Sequence, residues 1–532
     1  MPETRRGWVR IASNYVRLLT TLSFGLVLTP VLFHWLGEAG VGVVLLVGAN
    51  IGLTAIFQDM LSNSLTRELT TAYLSGDDAR FRRVYNAGVL LCAVVAALGL
   101  AGVAVVQACL ELLEVPPELM HGARVFLLCE GWSTAVIALT TATMNMYLAT
   151  HRFVWYNFWQ AVCRSSYLGS ALILFLVVGV KDPGAALRSY GELTCGFNTV
   201  FYALGAGLLM RMEPRLVPSV RWMERSTVRE LIRPATWNGA VIVALNLYER
   251  VGSLIMNKSF GIVGNAVWGP SLQMSSYIRQ VGQGMTFGID AVAARIGATG
   301  SHAELQRFTR HMTRLHGLVA FPAGAAMLIL ADPIIRAWLA RSGRVDPALY
   351  TLIITTTQIL AVAITSRAVS DCWERILYGS GHVRRYAPLV LVGGILNPFV
   401  AGALLLVLPG AAGETGTPRF YSPALAFATV FTFFQMFLLP IVGARCLRLR
   451  SADFLTPLLR PFLATLAASP VLLLGAGLIE RWTLPRLVLV GASFGAVYGV
   501  LAYGLVLERP ERTQLLRVLL RRKPPEATDR GP

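Results

Sequence analysis

Fourteen apolar stretches, each near the ~20 residues that a helix needs to cross the ~30 Å core of a bilayer, run through this chain of 532 residues. They begin at 15–36 and 41–64, include 155–179, 234–256, 262–290 and 349–371 as the fifth, seventh, eighth and tenth, and end at 458–479 and 485–507. Hydrocarbon offers no water to backbone N–H and C=O groups, so such a chain folds as helices that bond internally. Charged residues make up only 14% of the sequence, against about 25% in a soluble domain. The expected fold class is an all-α polytopic membrane protein with about fourteen transmembrane helices.

The chain also repeats itself. Leu36-Gly37 answers to Phe260-Gly261, Gly40 to Gly264, Gly76 to Gly300, Phe81 to Leu305 and Arg83 to Arg307, all at an offset of 224 residues. Tyr147 and His151 return as Tyr378 and His382 at an offset of 231. An even number of spans separates the copies, so both halves point the same way through the membrane. Parallel halves about an axis along the membrane normal are one repeat plan of transporters. The predicted organisation is a six-helix bundle over 1–211, a linker over 212–233 that serves as hinge or solvated connector, and a second six-helix bundle over 234–450. Two additional spans over 451–507 and a basic tail over 508–532 follow.

Lys and Arg number 47 against 29 Asp and Glu, a net charge of +18. They are not gathered on one folded basic face, as nucleic-acid binding requires. Most lie on connections and tails that share one side of the membrane when the amino terminus is cytoplasmic. This positive-inside pattern predicts both termini in the cytoplasm of a multi-pass inner-membrane protein. Anionic headgroups are then the partners of Arg512, Arg517, Arg521, Arg522 and Lys523. The first stretch has no small-residue cleavage site of a signal peptide. The seven cysteines show no metal or redox spacing, so no metal and no bound cofactor is expected. The outside connections near 111–122, 335–348 and 409–420 are too short for a catalytic domain, and neither 65–83 nor 212–233 carries a phosphate-binding loop. These absences argue against an enzyme and against an ATP-driven pump.

Several motifs carry a resemblance. The run Leu36-Gly37-Glu38-Ala39-Gly40-Val41-Gly42 and the segment Tyr73-Leu74-Ser75-Gly76-Asp77-Asp78 resemble the first repeat of polysaccharide and O-antigen (Wzx-like) flippases, within the multidrug/oligosaccharidyl-lipid/polysaccharide (MOP) exporter superfamily. Asn246-Leu247-Tyr248-Glu249-Arg250, Phe260-Gly261, Gly300-Ser301-His302-Ala303-Glu304-Leu305 and Trp338-Leu339 resemble the second. Glu249-Arg250 matches the acidic-basic pair frequent in the seventh span of that family. The resemblance implies the MATE-like fold of the superfamily and a flippase that moves an undecaprenyl-pyrophosphate-linked oligosaccharide to the periplasmic leaflet. It also implies glycosyltransferases and a polysaccharide polymerase as working partners.

Charges inside the apolar stretches are the candidate site. An ionisable group at the centre of a span costs at least ~2.5–3.5 kcal/mol, so it faces a cavity or a partner. Arg17, Arg164, Arg250 and Arg279 are expected to line a cationic cavity, because the guanidinium fork engages phosphate oxygens and keeps its proton when desolvated. The alternative is that each pairs with an intramembrane acid. Arg124 and Arg367, near span ends, are expected to snorkel to the interface. Of the acids, Asp59, Asp290 and Asp371 lie close to cytoplasmic span ends within reach of water, whereas Glu130 and Glu249 are deeper. Glu130, Glu249, Asp59 and Asp290 are candidates for coupling to H+ or Na+, or else counterions of the arginines. Trp155, Tyr156, Phe158 and Trp159 read as an interfacial aromatic belt.

The residues leave two other functions open. A cation-coupled multidrug exporter of the same superfamily would suit a cavity dominated by acids, which six intramembrane arginines oppose. A membrane-embedded polysaccharide polymerase or ligase would need a sizeable external loop.

Overall fold

The computed structural model describes residues 3–286, 289–299, 302–340, 345–411, 413–478, 483–509 and 511–513. Gly300, Ser301, the basic tail from 514 onward and the side chain of Asp59 lie outside the described residues. Among those described there is no strand. The helices are α1 (Glu3–Leu74), α2 (Asp78–Ala108), α3 (Pro117–Ala149), α4 (Phe153–Leu172), α5 (Pro183–Met212), α6 (Arg225–Asn246), α7 (Gly252–Thr286) and α8 (Ile289–Thr299). They continue with α9 (His302–Leu339), α10 (Pro347–Gly379), α11 (Val383–Val407), α12 (Ser422–Ala426), α13 (Leu439–Leu447), α14 (Ala452–Leu478) and α15 (Leu484–Leu501). α12 and α13 are the ends of one span, Pro418–Leu447, joined through π-helical turns.

Among the described residues, twelve helical segments are long and apolar enough to cross a membrane, two fewer than the stretches counted in the sequence. The difference lies at two glycines. A straight α1 of 72 residues would be about 108 Å long at 1.5 Å per residue, more than three bilayer cores. It is broken at Gly37, with φ 70° and ψ −178°, a region essentially restricted to glycine. α7 is broken at Gly261 with φ 66° and ψ −162°, the same conformation 224 residues later. Each break joins two of the sequence's stretches. The contacts around them fit chain reversals: Gly42 meets Ile262, Gly25 meets Tyr277, and the Gly48 carbonyl accepts a hydrogen bond from Arg250. The repeat seen in the sequence is thus a repeat of backbone geometry.

Helices in a bilayer gain little from burying apolar surface against one another, so close packing and interhelical hydrogen bonds hold them. In the first half Tyr85 Oη and Thr143 Oγ1 are 2.8 Å apart, joining α2 to α3, and Tyr147 Oη donates to the Gly205 carbonyl of α5 at 2.8 Å. In the second half Ser271 and Ser275 of α7 donate to the Ile353 and Thr357 carbonyls of α10 at 3.1 and 3.2 Å. Trp373 Nε1 donates to Thr313 Oγ1 of α9 at 2.8 Å. α14 and α15 lie on α9, where Tyr498 Oη donates to the Leu318 carbonyl at 2.7 Å. Arg310 reaches Asp453 at the start of α14, and Arg314 reaches Glu508 and Glu511 beyond α15. The hydrogen bond from Arg314 holds the Glu508 carboxyl below the usual carboxylate range. Leu473, Leu489 and Val500 turn outward from this pair as a lipid-facing surface.

One sequence alternative is narrowed here. The linker 212–233 is not a free connector, because Leu216 is fully buried and the Ser219 amide donates to Asn86 Oδ1 of α2 at 2.6 Å. Arg215 also pairs with Asp78 at 3.3 Å. The eighth stretch is described as α7 up to Thr286 and, beyond residues 287–288, as α8 from Ile289, which carries Asp290.

Candidate functional site

In the second half a cluster of buried and partly buried charges joins α7, α10 and the turn between α6 and α7. α6 passes into α7 through a π-helical turn, Leu247–Val251, and such turns are frequent at functional sites. The turn sends its neighbouring charges to different partners. Glu249 makes an ion pair with Arg367 of α10, while Arg250 Nη1 donates to the Gly48 carbonyl of α1 at 3.3 Å. Arg279, on α7, grips Asp371 with two bonds, Nε to Oδ2 at 2.6 Å and Nη2 to Oδ1 at 3.3 Å. Glu374 follows on α10 and accepts from Gln435 Nε2 at 3.0 Å.

Arg367, Asp371 and Glu374 are spaced i, i+4 and i+7, so they share one face of α10. Arg250 and Arg279 also act electrostatically on Glu249, and Glu249 and Glu374 on Arg279. Of the sequence candidates, Arg250, Arg279 and Glu249 come together here.

Arg367 and Asp371 correct the sequence reading. The arginine does not snorkel to an interface and the acid is not at a wet span end: their side chains are 7% and 12% exposed. The reason is helix length, since α10 runs on to Gly379 rather than stopping at 371. The same early stop hid Glu374, although the i, i+4, i+7 spacing of charges in an apolar run was a visible signal. Arg124 does lie at a span end, paired with Glu111 at 2.8 Å.

The first half is arranged differently. Glu130 of α3 accepts from Tyr167 Oη of α4 at 3.1 Å, and its second oxygen is shut off from solvent without a partner. No basic group pairs with it among the described residues. Arg164, three residues before Tyr167 on α4, is exposed, and no carboxylate lies within ion-pair distance of it among the described residues. Arg17 lies near Tyr156, likewise without a described carboxylate partner. Glu192 is paired with Arg188 at 2.8 Å. Asp290, on α8, is away from both groups, its carbonyl packed against Gly379.

At the Gly37 end of the molecule the two halves close on each other. Asn257 Nδ2 donates to the Leu113 carbonyl at 2.6 Å, Lys258 pairs with Glu114 at 2.9 Å, and the Asp346 amide donates to Glu38 Oε1 at 2.7 Å. Deeper along the same seam, Thr29 Oγ1 donates to Gln273 Oε1 at 2.8 Å.

Solved structures share this arrangement of helices. The lipid II flippase MurJ, in an inward closed conformation, superposes with a TM-score of 0.67 over 97% of this chain and 100% of its own, at 10% identity. A multidrug resistance MATE family transporter of the MOP superfamily, inward-facing, superposes with a TM-score of 0.63 over 85% of this chain and 95% of its own, at 11% identity. A MATE crystallised in complex with MaD3S gives 0.57, over 81% and 96%, at 12% identity. The chain has the fold of these MOP-superfamily transporters. No protein-family model matches it, and no curated protein matches it in sequence. Identities this low speak for the fold alone.

Proposed function

We propose that the chain is a flippase that moves an undecaprenyl-pyrophosphate-linked oligosaccharide from the cytoplasmic to the periplasmic leaflet of a bacterial inner membrane, for cell-surface polysaccharide synthesis. The observation that carries this reading is a set of intramembrane guanidinium groups, Arg17, Arg164 and Arg250, with no carboxylate partner among the described residues. Arg279, held by Asp371, adds a fourth. A diphosphate supplies the missing negative charge, and a planar fork of donors is the side chain best shaped to take it. That a lipid II flippase has this fold supports a lipid as cargo.

Sugars and diphosphate cross in a hydrated cavity between the halves, because leaving their polar groups unsatisfied in hydrocarbon is prohibitive. The tail stays in lipid, with the apolar outer faces of α14 and α15 as its groove. In this reading the Gly37 end is periplasmic, both termini are cytoplasmic, and rocking of the halves opens the cavity to each side in turn. Glycosyltransferases supply the cargo and a polymerase consumes it.

Cells lacking the chain are expected to accumulate lipid-linked oligosaccharide that a membrane-impermeant sugar-modifying reagent cannot reach. Arg164→Gln and Arg250→Gln each remove a charge-assisted hydrogen bond, about 1.5–3 kcal/mol, and are expected to slow flipping about tenfold or more. Variants that reach normal levels and flip at the wild-type rate would remove these residues from the site. Normal sidedness with altered drug tolerance would assign a cation-coupled multidrug exporter instead, and altered polymer length a polymerase or ligase.

Glu130, with no basic partner, is the group that couples transport to protons, whereas Glu249 serves as a counterion. Glu130→Gln is expected to leave downhill flipping in proteoliposomes intact while abolishing its acceleration by an imposed proton gradient. Retained acceleration would rule Glu130 out.

A further inference from the structure

Four segments of the second half meet at the end that carries the termini and enclose a cavity of about 400 Å³, within the ~300–1,000 Å³ of small-ligand sites. α8 forms one wall, the start of α9 brings His302, the turn after α10 brings Ser380 and His382, and the residue after α13 brings Arg448. No acidic side chain is among the described lining residues. The cavity lies where the spans Pro347–Gly379 and Pro418–Leu447 end and the next two begin. That is the depth of the lipid headgroups.

Three independent features make it a site that lacks a negative charge. Ser380 Oγ is cut off from solvent with no hydrogen-bond partner, and His382 Nδ1 sits by the Ser380 backbone without completing a bond. His382 is also the residue from which α11 starts, and the first amides of a helix have no partners within it and present a positive end. Burial and the nearby Arg385 charge push the His382 imidazole below its usual value. Finally, Arg448 caps α13 in the left-handed conformation usual at a helix end, with Leu449 N donating to the Ala444 carbonyl at 2.9 Å, and this places it on the cavity lining.

We propose that this cavity binds a phosphate group at the headgroup level of the membrane. Arg448 supplies the cationic rim, and Ser380 Oγ, a ring N–H of His302 and the Val383 and Arg384 amides at the start of α11 donate to the phosphate oxygens. Basic pockets between spans on the cytoplasmic side are a known setting for anionic headgroups. The proposal does not depend on what the protein transports, since its site is separate from the Glu249–Arg367 cluster.

The test is thermal unfolding of the delipidated full chain in detergent with inorganic phosphate, with a short-chain phosphatidylglycerol, or with chloride at matched ionic strength. The wild type is expected to gain Tm with phosphate or phosphatidylglycerol beyond chloride. A response to the lipid alone assigns a headgroup, and an equal response to inorganic phosphate assigns a soluble ligand. Arg448→Gly removes the guanidinium while suiting the left-handed cap, so it should fold and lose most of that gain. Ser380→Ala, which deletes one buried hydroxyl, should weaken the response at least several-fold. No gain beyond chloride in the wild type would overturn the site. So would a full gain retained by both variants.

Discussion

Glu249→Leu is expected to destabilise the protein by about 3–5 kcal/mol, the usual consequence of leaving one partner of a buried ion pair uncompensated. The partner left behind is Arg367, 7% exposed and in the middle of α10. Asp371, one turn along, is already engaged by Arg279. Glu249 itself is 27% exposed, which puts the effect toward the lower part of the range. Because both charges are costly to desolvate, removing them together is much cheaper than removing one. Glu249→Leu with Arg367→Met is expected to unfold within about 1 kcal/mol of the wild type or above it. Unfolding of the four proteins of this cycle in micelles gives the coupling directly. If the double variant loses the sum of the two single losses, the residues do not act as a pair, and the cluster is held by Arg279–Asp371 instead.

The sequence showed this architecture well where physical constraint is strongest and poorly where tertiary contact decides. Apolar length locates the spans, and Gly37 and Gly261, anchors of the sequence repeat, share one backbone conformation. Only glycine takes that conformation at little cost, so the chemistry of the anchor was written in the residue. Helix ends were less legible, because hydropathy marks where a segment is apolar and not where its hydrogen bonds stop. This is why Arg367 and Asp371 read as peripheral and Glu374 stays hidden, although all three are central. The π turn at Leu247–Val251 leaves no mark in hydropathy either, yet it separates Glu249 from Arg250. For Arg250 and Arg279 the sequence posed a choice between cavity and counterion. The geometry pairs Arg279 with Asp371 and gives Arg250 only a backbone carbonyl. Pairing across spans depends on helix rotation, which no local pattern fixes.

The seam between the halves carries the second large effect. A methyl group at Gly42 would lie 2.4 Å from Ile262 Cγ2 and 2.5 Å from the Ile262 carbonyl oxygen. The oxygen is backbone and has no rotamer to change. Gly42→Ala therefore has to push α1 and α7 apart, at the overpacking cost of about 1–3 kcal/mol, but only in states where this end is shut. The open state makes no such contact and bears no such cost. An energy that falls on one state moves the equilibrium by its full amount, so the open fraction should rise about 5–150-fold. Asn257 reports on it, being fully buried at the seam and bonded to the Leu113 carbonyl in the closed arrangement. With Cys109, which is exposed, replaced by serine, Asn257→Cys is expected to react slowly with an impermeant maleimide. Adding Gly42→Ala should raise that rate by the same factor, while overall stability falls by no more than the overpacking cost. An unchanged rate would mean that the Gly42–Ile262 contact persists throughout the cycle. The seam would then be a fixed hinge, and the opening on that side would have to lie elsewhere.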